Sequence, residues 1–253
     1  MPKENILGKI YYMKNVLEVN NLAVTLDGRE ILKDISFALE RGESLAIIGP
    51  NGSGKTVLLK TLLGFLPYSG EMRWATGVRL GYVPQKIEAD RHLPINFRNL
   101  LLAKAGVMNL KKSAIDEVIK EIHLTQEILK TPVGVLSGGQ FQKCLIAFAL
   151  LGKPEVVLFD EPTASVDEVG EEQIYELIHR LEDDYGITPI VVSHDLSFVY
   201  RYAAKVLCLN RQGLCFGTPQ EALTPKILHE LYGRPFAHYY HQHDHEKTHQ
   251  IDA

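Results

Sequence analysis

Long apolar runs, a cysteine framework and a basic surplus are all missing from this chain of 253 residues. The longest apolar stretches, such as LLGF and CLIAFALL, fall well short of the ~20 residues that a membrane helix needs, and no charged-then-apolar leader precedes a cleavage site. A soluble, unsecreted protein is the expectation. Cys144, Cys208 and Cys215 stand apart, without the short paired spacings of zinc or redox motifs, so they read as reduced core thiols with no disulfide among them. Lys and Arg number 27 against 31 Asp and Glu, a net charge of −4, which offers no basic surface to a nucleic acid. What is present is ordinary globular usage, 45% apolar and 23% charged, enough for one large domain or two small ones.

Along the chain, VLEVNNLAVTL alternates and then runs apolar, which suggests edge strands. LAIIGP, VVLFDEP, PIVVSHD and KVLCLN are short β-branched or apolar runs that read as buried parallel strands. Helical spacing fills the intervals at Lys55 to Phe65, Gly139 to Leu151, Gly170 to Asp184 and Asp195 to Ala203. Such alternation predicts an α/β fold built on a parallel sheet. From about Ile87 to Thr131 the rhythm breaks, because SAIDEVIKEIHLTQEILK is helical and no strand follows it before LSGGQ. That stretch reads as an inserted helical subdomain.

Three motifs carry chemistry. GPNGSGKT, from Gly49 to Thr56, matches G-x-x-x-x-G-K-[ST] between a strand and a helix, the context that a phosphate-binding loop requires. The loop of Gly49, Pro50, Asn51, Gly52, Ser53 and Gly54, with the helical start at Lys55, Thr56 and Val57, would curl around phosphate and turn its backbone N–H groups toward it. Lys55 would reach the β- and γ-phosphates and Thr56 a magnesium ion. VVLFDEP ends an apolar strand on two carboxylates, Asp160 to hold magnesium and Glu161 to orient or deprotonate a water. LSGGQ, from Leu136 to Gln140, places Ser137, Gly138, Gly139 and Gln140 at a second helix start suited to an anion.

With Gln85 in GYVPQK, the stretch SVD ending at Asp167 and His194 in VSHD, these motifs resemble the ATP-binding subunits of ABC transporters over residues 16 to about 220. The resemblance implies a P-loop NTPase (RecA-like) core, an antiparallel N-terminal β subdomain and a helical subdomain inserted at about 87–152. It implies an ATPase domain over 14–235, followed by a histidine-rich tail at 236–253. By the same resemblance ATP lies between the phosphate loop of one subunit and LSGGQ of another, so that Ser137 and Gly139 act across a head-to-tail homodimer. Gln85 would sense magnesium and the attacking water, Asp167 would link the two sites, and His194 would contact the γ-phosphate and position Glu161. Two departures stand out: Leu26 occupies the place of the usual adenine-stacking aromatic, and Lys143 follows LSGGQFQ where arginine is usual.

Within that family the chain is most similar to ATPase subunits of bacterial zinc and manganese importers, the zinc type above all. GYVPQK, the short helical insert, VSHDLSFV, KVLCLN with its glycine turn, and the histidine-rich end carry this likeness. A polytopic permease, an extracytoplasmic metal-binding receptor and a peripheral location on the cytoplasmic face of the inner membrane follow from it, with no nucleic-acid partner. Manganese, chelated iron or another small solute is the alternative cargo, and a soluble non-transport ABC ATPase the alternative class; a P-loop kinase leaves LSGGQ unexplained. The resemblance also puts Lys86 to Leu102 against the permease, with Leu93, Pro94, Ile95 and Phe97 supplying either that contact or a subdomain core. Finally, HYYHQHDHEKTH would align His238, His241, His245 and His249 on a helix, or His241, His243 and His245 on an extended chain, for zinc.

Overall fold

The computed structural model describes residues 15–85 and 95–233. In chain order the strands are β1 (Asn15–Leu26), β2 (Arg29–Glu40), β3 (Leu45–Ile48), β4 (Ser69–Trp74), β5 (Leu80–Val83), β6 (Val156–Asp160), β7 (Thr188–Val192), β8 (Lys205–Asn210) and β9 (Gln212–Gly217). The helices are α1 (Lys55–Leu62), α2 (Phe97–Val107), α3 (Lys112–Glu121), α4 (Gln126–Lys130), α5 (Gly138–Leu150), α6 (Glu168–Tyr185), α7 (Leu196–Tyr202), α8 (Pro219–Ala222) and α9 (Pro225–Tyr232). Among the described residues the strands form one sheet, in the order β4-β1-β2-β9-β8-β3-β7-β6-β5.

Strands β8, β3, β7, β6 and β5 run parallel to their neighbours in that order, while β1, β2 and β4 form an antiparallel group at the other end. The parallel strands are short and buried on both faces, and their period of two divides them between two cores. Ala46, Ile48, Val157, Phe159 and Val206 join a cluster with α5, α6 and α7. Leu45, Ile47, Val156, Leu158 and Leu207 join the other with α1, β1 and β2. The fold is therefore mixed α/β with a parallel-rich sheet, as the strand-helix alternation predicts. Strand β1 departs from its reading as an edge: β4 pairs along one side of it and β2 along the other, so both rows of its backbone groups are used. SGEMRW, with glycine and alternating charge, takes the edge instead.

Between β5 and β6 the chain leaves the sheet through α2, α3 and α4 before entering α5. Asn96 caps α2, accepting from the Asn99 N–H at 3.0 Å. Phe97, the first residue of that helix, is 1% exposed and packs in the core with Leu101, Ile119 and Leu129. Of its two readings, permease contact or subdomain core, burial selects the core; Leu93 and Pro94 lie outside the described residues, and Ile95 is half-buried. Phe97→Ala is accordingly expected to cost about 3–5 kcal/mol in urea unfolding of the whole chain, as large-to-small core truncations do.

The cysteine reading also needs correction. Cys208 on β8 and Cys215 on β9 lie directly opposite in an antiparallel pair, with Cα atoms 4.9 Å apart, and are joined by a disulfide. The pairing register brings together two residues that share no short motif. Cys144 on α5 stays a free buried thiol, its pKa pushed up to about 12 by burial.

Candidate active site

Four parallel strands deliver their carboxyl ends to one edge of the sheet, where an open α/β fold places its ligands. β3 leads into the phosphate loop, β6 ends on Asp160, β7 is followed by Ser193 and His194, and β5 by Gln85. The loop closes onto α1 through Gly54, whose φ of 101° is open to glycine, and whose missing Cβ leaves room for Leu32 Cδ2, 2.5 Å from where that atom would stand. From behind, the β8–β9 turn supports the loop. The Arg211 N–H donates to the Ser53 carbonyl at 2.9 Å, and the Lys33 N–H to the Arg211 carbonyl at 2.8 Å.

Lys55 is 6% exposed, and its Nζ donates to the Gly49 and Pro50 carbonyls at 2.9 and 3.2 Å. Burial lowers its pKa, and the carboxylates of Glu161, 3.8 Å away, and Asp160 oppose that shift. The Ser53 hydroxyl is buried without a hydrogen-bond partner among the described residues. A cradle of loop N–H groups with a cation and an idle hydroxyl fits a phosphate chain.

Beside the loop, the Thr56 hydroxyl donates to Asp160 Oδ1 at 3.1 Å, and the Tyr82 phenol to Asp160 Oδ2 at 3.4 Å. Asp160 is 2% exposed, and burial raises its pKa while the Thr56 bond lowers it. Hard oxygen donors of this kind, Thr56 and Asp160, suit magnesium. Tyr82 lies within GYVPQK, a motif that by itself assigns it no role; it stands on β5 opposite Leu158, two residues before the end of the aspartate strand, a relation visible only once the register is known.

Glu161 turns out of the strand with φ 47°, a left-handed conformation that costs a non-glycine residue of order 1 kcal/mol. The turn brings its carboxylate between two partners. Gln85 Nε2 donates to Oε2, and His194 Nε2 lies 2.5 Å from Oε1. One carboxylate thus gathers Gln85, His194 and, at longer range, Lys55 into a polar group able to hold and deprotonate a water next to a bound phosphate.

LSGGQ forms a separate surface at the start of α5. Ser137 Oγ accepts from the Gln140 N–H at 3.3 Å and Gln140 Oε1 from the Ser137 N–H at 3.0 Å, a reciprocal cap that leaves the serine proton free to donate. Gly138 lies against the chain carrying SVD: a Cβ there would stand 2.0 Å from the Ser165 carbonyl. Asp167 caps α6, its Oδ1 accepting from the Gly170 N–H at 3.0 Å. No described hydrogen bond joins Ser137, Gly138, Gly139, Gln140 or Asp167 to the phosphate loop. Asn51, Gly52 and Val57 line that loop without side-chain hydrogen bonds of their own among those described. His238, His241, His243, His245 and His249 lie outside the described residues, and among the described residues no group of three His, Cys, Asp or Glu is arranged to hold a metal. Nor is any described helix long and apolar enough to cross a membrane.

The family described as ABC transporter matches residues 32–164. The zinc import ATP-binding protein ZnuC of Brucella abortus (strain 2308) is 39% identical over 243 residues, covering 94% of this chain and 80% of that one. Its namesake from Hydrogenovibrio crunogenus (strain DSM 25203 / XCL-2) is 38% identical over 241 residues, 90% of this chain and 93% of that one. Among solved structures, a chain of an ABC transporter proposed to be of the metal-chelate type, in an inward-facing conformation, superposes with a TM-score of 0.80 at 27% identity, over 88% of this chain and 90% of that one. CbiO1 from Clostridium perfringens, part of the cbiONQ ABC transporter complex, gives 0.71 at 27% identity over 82% and 90%.

Proposed function

The chain belongs to the ABC transporter family, and on that premise we propose that it is the ATP-hydrolysing subunit of an importer whose cargo is zinc. The observation that carries the hydrolytic reading is the convergence of Gln85 and His194 on the two oxygens of Glu161 beside the Lys55 loop. Glu161 accepts the proton of the attacking water; His194 and Gln85 hold that carboxylate and the water in line with the γ-phosphate. Lys55 and the loop N–H groups bind the phosphates, and Thr56 and Asp160 would hold a magnesium ion, which would supply neutralisation of phosphate charge. Ser137 and Gly139 donate to the γ-phosphate of a second copy, so the working unit is a head-to-tail dimer, and Asp167 joins its two sites. The exposed, half-used Ser137 hydroxyl supports this.

The dimer sits on the cytoplasmic face of the inner membrane, against a polytopic permease that an extracytoplasmic metal-binding receptor loads. Relatives named for zinc import, at 37–39% identity over most of the chain, support zinc over manganese or chelated iron. The tail binds zinc weakly through His238, His241, His243, His245 and His249 and throttles transport, with affinity that falls as imidazoles protonate below about pH 6.5.

Vesicles holding the chain with its permease and receptor test both statements. ATP-dependent uptake is expected for zinc and not for manganese or a ferric chelate, and uptake of manganese alone would overturn the cargo. Removing residues 238–253 is expected to leave magnesium-dependent ATPase unchanged and to abolish the calorimetric zinc signal; equal zinc binding by both chains ends the role of the tail.

A further inference from the structure

The groups that touch Glu161 do not explain how two separate loops, one after β6 and one after β7, keep their charged side chains in register. Behind them runs a line of hydroxyls. Tyr175, on the inward face of α6 and 2% exposed, has its phenol oxygen 3.0 Å from Ser193 Oγ and 3.2 Å from Thr163 Oγ1. Ser193 immediately precedes His194, and Thr163 is two residues beyond Glu161. At one end Thr163 Oγ1 donates to Glu171 Oε1 at 2.8 Å; at the other the Asp195 N–H donates to Ser193 Oγ at 3.0 Å.

Proton counting gives this line a direction. Each hydroxyl has a single proton to donate. The proton of Thr163 goes to the Glu171 carboxylate, so Tyr175 must donate to Thr163, and Ser193 must then donate to Tyr175. Every bond therefore points the same way, from Asp195 through Ser193, Tyr175 and Thr163 to Glu171, and such a line is stiffer than its members taken singly. Glu171 lies in the first turn of α6, its N–H donating to the Asp167 carbonyl at 2.8 Å, so the line ends on the helix that Asp167 caps.

We propose that Tyr175 is a positioning residue for ATP hydrolysis: through Ser193 and Thr163 it sets the separation of His194 from Glu161 and ties that separation to α6. The phenyl ring is fixed independently, stacked on Phe198 with centroids 4.0 Å apart and planes at 20°. Burial pushes the phenol pKa up to about 12, against the Ser193 and Thr163 hydrogen bonds, so the proton that gives the line its direction stays on Tyr175 at neutral pH. The proposal rests on the hydrolytic reading of the site.

The test is Tyr175→Phe in the full chain, which removes the hydroxyl and keeps the ring, with Thr163→Val as a second way to cut the same line. Steady-state kinetics on magnesium ATP should show kcat lowered about tenfold or more in each, as small misplacements of catalytic groups do, with KM within twofold. The double variant should fall no further than the singles, since both break one device. A kcat within twofold of the unaltered chain, a KM that rises as kcat falls, or losses that multiply in the double variant would each overturn the proposal. Glu161→Gln separates the two levels. If it is inactive while Tyr175→Phe is unimpaired, the proposal alone fails; if it hydrolyses normally, the reading beneath it fails.

Discussion

Glu161→Gln should lower magnesium-dependent ATP hydrolysis by 10²- to 10⁴-fold, roughly the contribution of a positioned general base. The amide keeps the volume and planarity of the carboxylate, so the contacts with Gln85 and His194 can re-form around it with altered donors. What it cannot do is accept a proton from water at neutral pH. Nucleotide affinity, which depends on the loop and Lys55, should stay within about twofold of the unaltered chain. Chains loaded with magnesium ATP should therefore accumulate as dimers on size-exclusion chromatography, closed around a nucleotide they do not cleave. Turnover within threefold of the unaltered chain would remove Glu161 from the chemistry.

Lys55→Ala acts a step earlier and should abolish tight nucleotide binding. The ammonium is nearly fully enclosed, holds two loop carbonyls and faces the carboxylates of Asp160 and Glu161. Truncating one partner of a buried charge group costs about 2–5 kcal/mol, or from about thirtyfold to several thousandfold in affinity, much of it from the charges left without a counterpart. Equilibrium binding of a fluorescent ATP analogue reads this directly. Affinity within threefold of the unaltered chain would mean that the loop binds something other than a phosphate chain. The two variants separate cleanly: one binds and does not turn over, and the other does not bind.

What the sequence makes legible depends on the range of the interaction. GPNGSGKT, VVLFDEP and LSGGQ are local patterns whose geometry follows from a few neighbouring residues, and Lys55, Asp160 and Ser137 could be named from them. The strand periods were legible for the same reason, and the helices at α5, α6 and α7 begin and end within two residues of their expected limits. Features set by pairing across the sheet were not. Neither β1 as an inner strand nor the meeting of Cys208 with Cys215 has a local signature, because each needs the register of a partner strand. Phe97 was undecided since an aromatic residue at a helix start is equally suited to a core or a contact, and only burial chooses. No sequence pattern assigns a role to Tyr82 or Tyr175; their hydroxyls matter because the fold brings Asp160 and Ser193 beside them.

The place of β3 in the sheet has a bearing on how the chain comes to be folded at all. Residues 45–48 pair on one side with 190–192 of β7 and on the other with 205–208 of β8. The strand that leads into the phosphate loop thus has no ladder partner until the chain has been made through β7, and no second one until β8. Non-local parallel pairing is slow, because loop-closure entropy must be met before the contacts that reward it can form. During synthesis LAII is an apolar segment waiting for its neighbours, exposed to other nascent chains for as long as about ten residues per second takes to reach β8. Nucleotide has no finished loop to bind until that insertion is made, so ligand can stabilise the folded chain but cannot guide its early assembly.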